Sequence, residues 1–333
     1  MRVSLEDSLV VPERHSQAAS HWFSDTGCRL IDLKLSSPII CDHPDEIFSA
    51  NFMIQVVRPR AERIRSLNLT FTDVYDICCF LHYQGDEDTI PQHVWSFPNL
   101  EFLTLSFFTY RAEVTKLTAF QFMPKLHTVE LYNAFSSNEP NINLPWAQLT
   151  SLTIQPIPES LFRIVIPQCS ALETGCFSIN GRDSDEELPI VNLTLTRLTN
   201  FNIQFFGISD PSLFNGIHFP SLDVFGTSYG LAGFNWTAPG HIFRQLAPIT
   251  TLSLGGHINC LDMIDMLCET KNVTTFEVEF AQGHGEVLRA LTLGEEHEVL
   301  LKLSVLHVRL CYRYPYEPVC GLGFCENGGI EVA

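Results

Sequence analysis

Eleven times between Leu30 and Val308 the chain repeats one short phrase: an apolar residue, two variable residues, an apolar residue, one variable residue and a further apolar residue. The copies begin at Leu30, Ile64, Leu100, Leu126, Leu149, Leu172, Leu198, Leu222, Ile249, Val273 and Leu303. The clearest are Leu30-x-x-Leu33-x-Leu35, Ile64-x-x-Leu67-x-Leu69, Leu100-x-x-Leu103-x-Leu105, Leu149-x-x-Leu152-x-Ile154, Leu198-x-x-Phe201-x-Ile203 and Ile249-x-x-Leu252-x-Leu254. The weakest are Leu172-x-x-Gly175-x-Phe177 and Leu222-x-x-Phe225-x-Thr227, where a core slot holds a residue that packs poorly or is polar. Alternation over the fourth to sixth positions sends two side chains to one face and one to the other, so each copy predicts a short half-buried strand.

One such strand cannot hide its apolar side, so the copies must cover one another. The starts span 273 residues (303 minus 30) over ten steps, a mean of about 27, with single steps from 23 to 36. That period lies within the roughly 20 to 29 residues of leucine-rich repeats. Stacking the strands in a parallel ladder closes the core, and the 17 to 30 residues between phrases carry the chain back along the other side. The expected fold class is therefore α/β, a leucine-rich-repeat solenoid (horseshoe) with a parallel sheet on the concave face and helices or irregular turns on the convex face.

Apolar residues at three- and four-residue spacing predict helical returns at Ile47 to Val57, Glu159 to Ile166, His241 to Leu246, Leu261 to Leu267 and Val287 to Leu293. Phe97-Pro98-Asn99-Leu100, Met123-Pro124-Lys125-Leu126 and Phe219-Pro220-Ser221-Leu222 recur before strands, where proline is expected to stop a preceding helix.

At 333 residues the chain exceeds the roughly 250 to 300 at which a single globular core stops growing, yet no linker or composition shift divides it. A linear core that lengthens with each repeat resolves this. The expected organisation is a leader or partial cap over 1–20, one irregular solenoid of about eleven units over 21–312, and an irregular tail over 313–333.

The count of 20 Lys plus Arg against 38 Asp plus Glu leaves a net charge of −18, with no basic stripe, so nucleic acid and anionic membrane are poor partners and a basic protein is a better one. The N-terminus has no apolar signal region, and no stretch is long and apolar enough to span a bilayer. The eleven Cys are odd in number and form no tight framework, as expected of reduced thiols in cytoplasm or nucleus rather than in a secreted protein. On that reading the Asn-x-Thr sequons at Asn68, Asn192, Asn235 and Asn272 reflect threonine in strands.

Signatures of chemistry are missing. There is no phosphate-binding Gly-x-x-x-x-Gly-Lys-Ser/Thr loop, no Gly-x-Gly-x-x-Gly, no Gly-x-Ser-x-Gly and no His-Glu-x-x-His. The acidic run Asp183-Ser184-Asp185-Glu186-Glu187 lacks the glycine and ligand spacing of a calcium loop. His307, Cys311, Cys320 and Cys325 offer zinc-type atoms without paired Cys-x-x-Cys knuckles. Cys78 and Cys79 fall in an apolar run, as buried thiols do. No catalytic residue, cofactor or metal is expected.

What remains is a surface. The third and fifth positions of each phrase point outward and are mostly small and uncharged, and Phe102 is the one large anchor among them. Aromatic residues just past the strands extend that set. The candidate protein-binding residues are Phe102, Thr104, Phe108, Tyr110, Glu130, Tyr132, Asn200, Asn202, Tyr229 and Trp236.

His21-Trp22-Phe23-Ser24 leading to Leu30-Ile31-Asp32-Leu33-Lys34-Leu35, Arg63-Ile64-Arg65-Ser66-Leu67-Asn68-Leu69 and Leu144-Pro145-Trp146-Ala147-Gln148-Leu149-Thr150-Ser151-Leu152 resemble the C-terminal region of large F-box/leucine-rich-repeat proteins of basidiomycete (mushroom-type) fungi. Gln168-Cys169-Ser170-Ala171-Leu172-Glu173 and Leu288-Arg289-Ala290-Leu291-Thr292 do so too, and the resemblance covers roughly residues 20 to 310. It implies that the repeats hold a protein to be ubiquitinated while an N-terminal F-box docks on the Skp adaptor of a cullin-RING ligase. No Leu-Pro-x-Glu opening precedes the first resembling phrase. The chain is then expected to be either a piece of a longer protein, with the Skp adaptor as partner only if an F-box lies upstream, or a stand-alone acidic scaffold or inhibitor.

Overall fold

The computed structural model describes residues 2–4, 21, 27, 29–36, 57–71, 96–107, 117, 119–135, 142–180, 192–206, 211–229, 248–255, 260–280, 302–310 and 330–332. They belong to two compact units, Met1–Ser170 and Ala171–Ala333. Each is a parallel-sheet solenoid, and each of the eleven phrases carries a strand.

In the first unit β1 (Arg2–Ser4), β2 (Ile31–Ser36), β3 (Ile64–Phe71), β4 (Phe102–Phe107), β5 (Thr128–Tyr132) and β6 (Ser151–Pro158) lie side by side in chain order, all parallel. The register puts equal phrase positions beside one another. Leu33, Leu67, Leu103, Val129 and Leu152 form one inward row, and Leu35, Leu69, Leu105, Leu131 and Ile154 the next. All but half-buried Leu35 are buried, and each fully buried aliphatic side chain stabilises the stack by about 1.5–3 kcal/mol. After β6 the chain enters α1 (Glu159–Val165), which buries Leu161, Phe162 and Val165 where a helical return was expected.

The second unit has β7 (Thr174–Asn180), β8 (Leu193–Thr194), β9 (Asn200–Phe206), β10 (Ile217–His218), β11 (Val224–Tyr229), β12 (Thr251–Gly255), α2 (Cys260–Glu269), β13 (Thr275–Phe280), β14 (Val305–Leu310) and β15 (Ile330–Val332). Its main sheet runs β7-β9-β11-β12-β13-β14 in parallel, and β15, from the tail expected to be irregular, pairs antiparallel with β14. Strands β8 and β10 form a separate two-stranded parallel sheet with no counterpart in the phrase pattern. Here phenylalanine replaces leucine in the core. The Phe201 ring lies 5.8, 6.2, 5.4 and 6.2 Å from the rings of Phe177, Phe214, Phe219 and Phe225, separations at which aromatic pairs attract.

Helix α2 contains the predicted segment Leu261 to Leu267. The predictions at 47–56, 241–246 and 287–293 lie outside the described residues. Elsewhere among the described residues the returns are tight turns and short 3-10 segments, so helices are few.

The prolines before strands play a different part from the one expected. Leu100 N–H donates to Phe97 O (3.1 Å), Leu126 to Met123 (3.2 Å) and Leu222 to Phe219 (3.3 Å), so each proline is the second residue of a four-residue turn, where its fixed φ fits. Residues 119–122 before Met123-Pro124 are not helical, and β10 precedes Phe219-Pro220, so neither proline ends a helix. Trp146 to Leu149 and Thr270 to Val273 close the same bond, 3.2 Å in each case, without proline.

The ladder begins at phrase position two. The carbonyl of that residue accepts the next repeat's N–H groups at positions two and three, as His127 O does from Thr150 (2.9 Å) and Ser151 (3.0 Å). At four of these positions a Thr or Ser hydroxyl donates to the same carbonyl, Thr150 to His127, Thr199 to Glu173, Thr274 to Thr250 and Ser304 to Thr274, whereas the Thr250 hydroxyl donates to the Asp223 carboxylate.

Candidate protein-binding face

In the first unit the outward positions of β3, β4 and β5 register as Ser66–Phe102–Thr128, Asn68–Thr104–Glu130 and Thr70–Ser106–Tyr132. Four candidate residues therefore meet on two neighbouring strands. Thr104 Oγ1 donates to Glu130 Oε2 at 3.2 Å, and Tyr132 Oη donates to the same oxygen at 3.5 Å. Phe102 is 39 % exposed although it sits in mid-sheet, and it packs edge-to-face on His127 with centroids 5.0 Å apart. His127 Nδ1 shares a 3.0 Å hydrogen bond with Thr128 Oγ1, which fixes the ring beside Phe102. His127 was missed in the sequence because phrase position two was treated as variable.

Asn133 anchors the far end of this patch. Its φ of 53° ends β5 in the left-handed region, which asparagine tolerates better than most residues. Its N–H donates to Gln155 O (2.7 Å) and its Nδ2 to Phe107 O (2.9 Å), tying the residue after Tyr132 to both flanking strands.

Charge on this face is arranged in separate places. Arg65 Nε and Nη2 donate to Asp32 Oδ1 and Oδ2 at 3.0 and 2.7 Å. That pairing raises the Arg65 pKa, first through the hydrogen bond and then through the charge of Asp32, with Glu101 adding a little. Both side chains are open to solvent, and such pairs contribute little stability. Lys125 Nζ is held by Asn99 Oδ1 at 2.6 Å.

Asn200 and Asn202 belong to the second unit, on outward positions of β9, where Asn202 Nδ2 donates to Asn200 Oδ1 at 3.0 Å. The Asn202 amide lies over Gly226 of β11 and fills the space a side chain there would need. Tyr229 ends β11, with its side chain outside the described residues, as are Phe108, Tyr110 and Trp236 altogether.

Cys169 is buried, its thiol donates to Val165 O at 3.4 Å, and burial pushes its pKa up to about 12, the condition of an inert thiol rather than a nucleophile. An open depression of about 400 Å³ in the first unit is lined by Leu144, Pro145, Trp146, Ala147, Gln148 and Gln168, with no titratable group among them. Among the described residues no three His, Cys, Asp or Glu side chains gather in a metal-binding arrangement, and Cys311, Cys320 and Cys325, which with His307 offer zinc-type atoms, lie outside them. No described helix is long and apolar enough to cross a membrane. No family model, curated protein or solved structure matches the chain.

Proposed function

We propose that this chain is a non-catalytic protein-recognition solenoid of the leucine-rich-repeat type, a horseshoe whose concave sheet face grips a protein partner. The observation that carries this reading is the patch on β4 and β5. Phe102 stands exposed where a solvated sheet would carry a small polar residue, and Thr104, Glu130 and Tyr132 beside it are already joined by hydrogen bonds. Side chains held in place before contact lose little entropy on binding, and exposed aromatics supply most of the anchoring energy at interfaces. The net charge of −18 favours basic partners through steering.

From the resemblance to basidiomycete F-box proteins we further propose that this grip serves as the substrate-holding part of a cullin-RING ubiquitin-ligase receptor in cytoplasm or nucleus. The competing reading is an acidic scaffold or inhibitor unconnected with ubiquitin. Quantitative affinity capture with the wild-type chain and a Phe102→Ala/Tyr132→Ala double variant of equal melting temperature tests the grip. A discrete set of proteins lost from the variant is expected, and an identical set with both refutes it. Retention of the Skp adaptor by a transcript-derived version extended upstream separates the ligase reading from the scaffold.

A further inference from the structure

The recognition reading leaves open what the patch on β4 and β5 takes hold of. Glu130 occupies the fifth position of its phrase at the middle of the patch. Both hydrogen bonds to its carboxylate, from Thr104 and Tyr132, arrive at Oε2. They orient the group, and among the described residues they leave Oε1 without a donor. Among the described residues the cations nearby are engaged elsewhere or too far off: Arg65 is clamped by Asp32, Lys125 donates to Asn99, and Lys34 stands three strands away on β2, about 14 Å at the usual strand spacing.

The register then places an aromatic ring on either side of this carboxylate. Phe102 is level with Thr128, two residues before Glu130, and Tyr132 is two residues after it, each step about 6.6 Å along the strands. Among the neighbouring outward residues Ser66, Ser106, Thr128, Ser151 and Thr153 are small, and Asn68 beside Thr104 and Gln155 beside Tyr132 are longer. A carboxylate with one open oxygen between two rings asks for a group that is positive, planar and rich in N–H donors. A guanidinium satisfies all three, since it can fork onto a carboxylate and lay its plane against a ring. An ammonium brings the charge without the plane, and its contact with a ring is that of a point charge.

Building on the recognition reading, we infer that Glu130, framed by Phe102 and Tyr132, is the seat for an arginine side chain presented by the protein partner. The acidic remainder of the molecule draws basic segments toward it, and the seat selects arginine over lysine.

A random peptide library displayed on phage and selected against the immobilised chain tests this. Peptides carrying a shared arginine are expected. On synthetic copies, replacing that arginine with citrulline weakens binding to the wild-type protein roughly tenfold to a hundredfold, as expected for loss of a hydrogen-bonded charge pair, and lysine, which keeps the charge but not the planar fork, weakens it by less. Glu130→Gln, which keeps the shape and both acceptor bonds, gives a similar loss, whereas Glu62→Gln, which removes the same charge from the turn before β3, gives none. The peptide substitutions need no variant protein, so the outcome does not depend on folding of Glu130→Gln. Selected peptides without a shared arginine, or equal losses from Glu62→Gln and Glu130→Gln, overturn the arginine seat and leave recognition standing. Failure of every peptide to enrich overturns both.

Discussion

Gly175 and Phe177, two residues apart on β7, share one core slot. A β-carbon on Gly175 would lie 2.8 Å from Cε2 of Phe177 and 3.2 Å from Cδ2 of Phe201. The phrase Leu172-x-x-Gly175-x-Phe177 looks like a defective copy, yet the apparent gap is filled by a ring from its own strand. Phe177 and Phe201 are both about 1 % exposed or less and belong to the phenylalanine cluster, so neither can swing away. Gly175→Ala is therefore expected to lower stability by about 1–3 kcal/mol through overpacking. Gly226→Ala meets the end of the exposed Asn202 side chain, which can turn aside at the loss of its hydrogen bond to Asn200, and should cost less. Urea unfolding of the two variants checks the order, and equal midpoints would show that the Phe177 ring yields freely.

Asn133 holds the end of β5 in the left-handed region, and its side-chain amide bonds the neighbouring strand. Alanine there loses the amide and meets the steric penalty of that conformation, about 1–2 kcal/mol. Glycine loses the amide alone. Melting temperatures are expected to fall in the order Asn133, Asn133→Gly, Asn133→Ala. An alanine variant as stable as the glycine one would mean that the backbone relaxes there at no cost.

How far the fold could be read in advance follows from what a period encodes. Equal phrase positions on successive copies become neighbours in a parallel ladder, so the rows from Leu33 to Leu152 and the meeting of Thr104 with Glu130 were implicit in the spacing. Contacts set by side-chain reach were not. His127 turns onto Phe102 from a position that the pattern treats as variable, and Arg65 reaches Asp32 on the adjacent strand. The hydroxyl ladder at Thr150, Thr199, Thr274 and Ser304 was visible as Thr-Ser, Thr-Asn, Thr-Thr and Ser-Val pairs at the second and third phrase positions, but strand propensity accounts equally well for threonine there. Strands β8 and β10 are two residues each, too short for alternation to register.

Burial moves the Cys169 pKa from its ordinary 9.0 up to about 12, so the fold favours the protonated thiol. The sign of the pH effect follows. The stabilising contribution is complete below pH 9.0 and is lost as pH rises from there toward about 12, at about 1.4 kcal/mol per pH unit. The difference in unfolding free energy between wild type and Cys169→Ala isolates this group from the tyrosines and lysines that titrate in the same range. That difference is expected to be constant up to about pH 8.5 and to shrink by about pH 10.5. A difference that does not change with pH would place the thiol in contact with water.

Leu152 and Ser151 are adjacent on β6, yet they should respond oppositely to the same substitution. Leu152 is 0 % exposed and sits in the inward row beside Val129, whereas Ser151 is half-buried on the outward face beside Thr128. Leu152→Asp places a carboxylate among aliphatic side chains that offer it no partner, costing several kcal/mol whether it ionises or takes up a proton. Because each rung covers its neighbours, the loss spreads along the stack rather than staying at one contact. Circular dichroism is expected to show a sharply lowered or absent melting transition for Leu152→Asp, and the same for Leu103→Asp, while Ser151→Asp melts close to wild type. An unchanged curve for either leucine variant would remove that residue from the core and with it the inward row on which the register of β4, β5 and β6 depends.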